Sequence, residues 1–153
     1  MTLTQLDATP TTWLAVGYDV RGSSMGTGRL RFQWRDEAGR LDVAGRRYRI
    51  MRGEEDGLYI LERRGRRIAS AAGPTEHARN FEIDYRGERW ELRARPKRHA
   101  FKILRRGRRV AEIGPASWYR RHARLEAPAG IDDELAYFMM GLTLLWWRRK
   151  RIA

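Results

Sequence analysis

Between Leu30 and about Ile113, apolar and polar residues alternate along most of the chain. "LRFQWR" sets Leu30, Phe32 and Trp34 against Arg31, Gln33 and Arg35. "RRYRI" sets Tyr48 and Ile50 against Arg47 and Arg49. "FEIDYR" sets Phe81, Ile83 and Tyr85 against Glu82, Asp84 and Arg86, and "RWELRA" sets Trp90, Leu92 and Ala94 against Arg89, Glu91 and Arg93. Side chains alternate faces along a strand, so a period of two predicts strands with one buried and one wet face. Turn signals separate the runs: "DEAG" at Asp36–Gly39, "EEDG" at Glu54–Gly57, and glycines at Gly65, Gly87 and Gly107.

Three predicted hairpins are near copies: "YILERRGRRIASA" from Tyr59, "FEIDYRGERWELR" from Phe81 and "FKILRRGRRVAEI" from Phe101. In each, an aromatic opens the first strand, a glycine follows six residues later, and a hydrophobic residue (Ile68, Trp90, Val110) stands three further on. Glycine supplies the positive φ that a tight hairpin turn needs. The copies start 22 and then 20 residues apart, which reads as a meander of similar hairpins. "TWLAVGYDV" and "SWYRRHARL" add strands at either side. The count reaches about ten to twelve, enough to close or nearly close a barrel.

The pattern then changes. "APAG" at Ala127–Gly130 reads as a breaker, with Asp132 or Asp133 capping a helix predicted over about 132–148. Acids lie in its first turn and Arg148, Arg149, Lys150 and Arg151 at its end, the order the helix dipole favours. From Leu135 to Trp147 it carries 13 residues without a charge. At 1.5 Å per residue that is about 20 Å, short of the roughly 30 Å of a bilayer core. The charge order also opposes a span: positive-inside would export everything before the helix, although "MTLTQLDATPTTW" has no basic and apolar signal regions. A helix apolar all round must instead be enclosed by protein. A barrel of this size cannot be filled by its own side chains, and a threaded helix fills it.

Repeated aromatic-opening hairpins, a proline-containing break and the ending "ELAYFMMGLTLLWWRRKR" together resemble the tubby C-terminal-like superfamily, nearest in style to LURP-one-related and phospholipid scramblase-like proteins. The resemblance covers roughly Arg29 to Arg149. It implies a mainly β fold, a closed or nearly closed antiparallel barrel of about 12 strands around a central hydrophobic C-terminal helix. It leaves residues 1–28 as an N-terminal segment with room for one edge strand and a glycine-rich loop, and a single barrel domain over 29–153. It also implies binding of phosphoinositide head groups through basic residues on the barrel exterior, and for the scramblase-like relatives a link to anionic membranes and calcium. No stretch matches the tubby lipid-binding motif, and "EEDG" lacks the alternating ligand spacing of a calcium loop.

Composition narrows the chemistry. The chain has 153 residues, no cysteine and a formal net charge of +13 carried almost wholly by arginine. Disulfides and thiolate zinc sites are excluded. The charge favours polyanions, nucleic acid or anionic lipid, unless it is simply a solvated outer face. "GSSMGTG" at Gly22–Gly28 lacks the Lys-Ser or Lys-Thr of a phosphate loop and reads as a flexible loop. His77, His99 and His122 lie in separate segments without metal spacing or a nucleophile motif. Asp132, Asp133 and Glu134 read as helix-capping acids rather than an acid–base cluster.

The basic turns remain. Arg63, Arg64, Arg66 and Arg67 flank Gly65; Arg105, Arg106, Arg108 and Arg109 flank Gly107; Arg95, Lys97 and Arg98 make a third basic turn, "RPKRH". Tips of like direction would gather at one barrel end and suit phosphates. The expectation is a cytoplasmic, non-catalytic binding module without a cofactor, peripheral on anionic phospholipid. The alternatives are nucleic-acid binding through the same arginines, or a protein-interaction or structural role without a ligand.

Overall fold

The alternating runs become one continuous wall. In a computed structural model, which describes residues 2–11, 17–23, 27–73, 80–116 and 122–149, the chain is a closed antiparallel β-barrel of 12 strands with one helix after the last. The strands are β1 (Thr2–Pro10), β2 (Gly17–Gly22), β3 (Thr27–Gln33), β4 (Ala38–Val43), β5 (Arg46–Arg52), β6 (Leu58–Arg63), β7 (Arg66–Ala72), β8 (Phe81–Tyr85), β9 (Glu88–Arg95), β10 (Ala100–Arg105), β11 (Arg108–Pro115) and β12 (Ala123–Asp132). The helix, α1, runs Asp133–Arg149. Each strand pairs with its neighbours in chain order, and β1 closes the ring on β12, from Ala8↔Ala123 to Leu3↔Ile131. Closure leaves no unpaired edge.

This topology sorts the connections. Those after even-numbered strands lie at one end, where β12 also hands over to α1. Those after odd-numbered strands lie at the other, with the helix C-terminus. The turns at 44–45, 64–65, 86–87 and 106–107 therefore share the end that holds the helix N-terminus. The glycines there have φ of +72 to +76°, and the residue before each is also left-handed, at +49 to +53°. Positive φ at both central positions marks the type I′ turn, whose twist matches that of the strands.

The core is the space inside the wall. Tyr18, Tyr48, Tyr59, Phe81, Phe101 and their alternating neighbours point inward and are buried. Every residue of α1 from Asp133 to Trp147 is buried, with Met139, Leu142 and Leu144 at 0% exposure. The enclosed-helix expectation holds. Thr143, the one hydroxyl in the apolar run, donates to the Met139 carbonyl oxygen at 2.8 Å and so is satisfied within the helix. Gly141 faces β5, where a Cβ would overlap Ile50 Cδ1. No helix among the described residues is long and apolar enough to cross a bilayer.

Four expectations change. Residues 1–28 hold two strands and not one: β2 carries the end of "TWLAVGYDV", and β1 belongs to the wall as well and closes it. "APAG" does not break the strand; β12 runs through it. The pairing slips there instead, from Gln5↔Glu126 to Leu3↔Ile131, so that extra residues bulge from β12 before the helix. Trp34 leaves the strand for a 3-10 turn and stacks on Phe32, ring centroids 4.3 Å apart. Ile68 and Val110 sit at bulges in β7 and β11 and are half-buried, leaving Ala69 and Ala111 to face the helix. The middle of "GSSMGTG", the start of "TWLAVGYDV", most of the first half of "SWYRRHARL", His77, and Lys150 and Arg151 lie outside the described residues.

Candidate anion-binding site

The barrel end that holds the helix N-terminus is built on a buried charge network. β12 delivers Asp132, and the first turn of α1 adds Asp133 and Glu134, the latter two 3% and 8% exposed. Arg46, first residue of β5, reaches Asp133 at 2.8 Å. Arg86 in the β8–β9 turn spans Glu134 at 3.2 Å and Asp132 at 3.5 Å. Tyr48 donates its hydroxyl to Glu134 at 2.8 Å, and Tyr85 donates to Asp132 at 3.1 Å. Burial pushes both phenols above their ordinary range, and the adjoining carboxylates add to it. Burial together with Asp133 pushes Tyr137 up to about 12. These acids do more than cap a helix: they hold two hairpin turns to it and neutralise Arg46 and Arg86.

Around this hub, the outer arginines of the tips lack counter-charges. Arg64, Arg66 and Arg67 on the β6–β7 hairpin are exposed, as are Arg106 and Arg108 on β10–β11, and none has an acidic partner among the described residues. The other candidates differ. Arg63 points inward and lies over the Tyr48 ring, 5.9 Å from its centroid, beside Arg46 at 5.8 Å. Arg105 is bound by Glu88 and lies over Trp90 at 5.2 Å, and Arg109 is bound by Glu112. Between the 44–45 and 64–65 turns lies a depression of about 390 Å³ lined by Arg46, Arg47, Arg49, Arg63 and Arg64 against the single acid Glu62.

The third basic turn is not part of this end. Arg95 ends the odd-numbered strand β9, Lys97 and Arg98 follow it, and all three lie at the opposite end, beside the helix C-terminus. Arg95 is taken up by Glu112 at 2.9 Å. The expectation of one patch built from three turns is thus corrected to two turns at one end and one at the other. The reason is parity: a meander sends successive turns to alternate ends, and "RPKRH" falls between two strands whose neighbouring turns are the other way up.

The opposite end is a lock on the helix. Glu37 accepts Arg149 Nε at 2.8 Å, Arg149 Nη2 at 2.7 Å and the Tyr59 hydroxyl at 2.6 Å. Burial would raise the Glu37 pKa, but hydrogen bonds from Arg149 and Tyr59, with the charges of Arg149 and Arg52, outweigh it and hold the carboxyl below its ordinary range. Trp147 Nε1 donates to the His99 carbonyl at 2.9 Å. On the wall, His122 Nε2 and Arg124 Nε converge on Asp7 Oδ1 at 3.2 and 2.7 Å. Among the described residues no group of three or more His, Asp or Glu is placed to hold a metal ion.

Sequence reasoning missed Arg31, Arg40, Arg46, Arg47 and Arg49. Their outward or rim positions follow from the alternation, but their adjacency depends on strand register. Arg31 pairs with Arg40, and Arg40 with Arg49, on three successive strands. No family model, curated protein or solved structure matches this chain.

Proposed function

We propose that this chain is a non-catalytic binding module of the tubby-like kind, which docks on anionic phospholipid surfaces through the barrel end that holds the helix N-terminus. One observation carries the reading: two arginine-rich tips share that end, while Asp132, Asp133 and Glu134 are engaged by Arg46, Arg86 and the hydroxyls of Tyr48 and Tyr85. Arg64, Arg66, Arg106 and Arg108 project from type I′ turns, and each guanidinium can take two phosphate oxygens. A polybasic surface gains about 1 kcal/mol per Lys or Arg near an anionic leaflet, so a few exposed arginines suffice for reversible docking.

Co-sedimentation with vesicles tests this. Vesicles containing phosphatidylserine should pull the protein down at physiological salt, and pure phosphatidylcholine vesicles should not. Equal, low recovery with both ends the lipid reading.

A further inference from the structure

The wall carries a second arginine feature, away from the tips. Arg31 on β3, Arg40 on β4 and Arg49 on β5 occupy directly paired positions, Arg31↔Arg40↔Arg49, and all three are exposed. Like charges directly opposite each other across strands are destabilising. The row one step toward the tips shows the ordinary solution. It reads Asp19↔Arg29↔Asp42↔Arg47, alternating in sign, with ion pairs at 3.5 Å for Arg29–Asp19 and 2.7 Å for Arg47–Asp42. In the arginine row, only Arg40 touches an acid, Asp42 at 3.5 Å, and that acid already serves Arg47. Arg31 and Arg49 make no ion pair among the described residues, although Glu62 on β6 stands directly opposite Arg49.

The row borders a depression of about 580 Å³ whose polar lining is Arg31, Arg40, Arg47, Arg49 and Gln33, with no acid. Strands sit about 4.8 Å apart, so the three guanidiniums form a line of roughly 10 Å. Phe32 and Ile50, the apolar residues nearest, turn inward and are 4% and 1% exposed. The site therefore has groups for phosphate and no exposed aromatic ring to stack on a base. A ligand fitting it is linear, charged at every repeat and otherwise featureless.

We propose that the Arg31–Arg40–Arg49 row binds a linear condensed phosphate, the inorganic polyphosphate class, laid along the row so that its chain bridges neighbouring guanidiniums. This is separable from the lipid reading, because Arg31 and Arg40 lie on the wall, while only Arg49 also lines the depression between the tip turns. A local violation of charge pairing is what a binding site looks like before its ligand arrives.

Calorimetric titration with sodium tripolyphosphate, orthophosphate and a 20-base-pair DNA duplex tests it, on the whole chain and on R31Q/R40Q. Tripolyphosphate should bind the natural protein at least about tenfold tighter than orthophosphate. R31Q/R40Q should lose at least about tenfold in tripolyphosphate affinity, yet melt at the same or a higher temperature without ligand, because repulsion is relieved. Its vesicle binding should be unchanged. The single variant R31Q should show an intermediate loss, which keeps the test sound if the double variant folds poorly. No preference for tripolyphosphate over orthophosphate overturns the proposal. So does an equal loss in the tip variant R66Q/R108Q, which would make the effect one of net charge. Tighter binding of duplex than of tripolyphosphate at equal phosphate concentration assigns the row to nucleic acid and also overturns it.

Discussion

Arg46, at the start of β5, and Asp133, at the start of α1, are joined at 2.8 Å although 87 residues separate them. The carboxylate side chain is 4% exposed and the guanidinium side chain 25%. The contact fixes where the helix enters the barrel, and it ties that point to the end that presents the basic tips.

Removing one partner tests the link. R46Q leaves Asp133 charged and buried, whereas D133N leaves an arginine that can turn to water. Breaking a buried pair from one side costs several kcal/mol, less when one partner is partly solvated. R46Q is expected to lose about 2–3 kcal/mol in urea unfolding and D133N clearly less. Equal midpoints for both variants and the natural protein would show that the pair does not hold the helix.

The apolar run of α1 makes a sharper prediction. Met140 is 1% and Leu144 0% exposed, with barrel on every side. A lysine at either position buries an unpaired charge, which exceeds what a domain of this size tolerates. M140K and L144K should lack a cooperative thermal transition by circular dichroism. A folded M140K protein that simply leaves a membrane fraction would mean that the helix is an anchor and not a core.

Acid should loosen the other end. The Glu37 pKa is depressed in the folded chain, so its contribution is fully present above the ordinary value of 4.5 and is lost as pH falls through the lower folded value. Asp7 behaves the same way from its ordinary 3.8: burial opposes the shift, and Gln5 and Arg124 outweigh it. Stability should therefore drop below about pH 4.5. E37Q, which leaves Arg149 without its carboxylate, should be less stable at pH 7 and show a shallower acid limb. An unchanged limb in E37Q would remove Glu37 from the account.

The architecture was legible because two signals were strong. Period two in "FEIDYR" and "RWELRA" placed Phe81, Ile83, Trp90 and Leu92 inward, where they are. The uncharged run from Leu135 demanded a container, and the wall provides it. What stayed hidden depends on pairing. β2 carries the end of "TWLAVGYDV" and was in reach, but the inclusion of β1 rests on closure against β12, a contact between the first and last strands that no local pattern carries. "APAG" looked like a breaker because Pro and Gly end most strands, but a bulge absorbs them here. The basic turns could be counted but not assigned to ends without the strand tally. The Arg31–Arg40–Arg49 row needed register, which alternation alone does not set.

The most direct test of the lipid-docking account is the partition of R66Q/R108Q onto phosphatidylserine vesicles, beside its melting temperature. Both side chains are exposed and have no acidic partner among the described residues, so the fold should be unaffected. At about 1 kcal/mol per arginine, partitioning should fall by roughly thirtyfold. Partitioning equal to that of the natural protein, at an unchanged melting temperature, would contradict the claim that these tips are the contact.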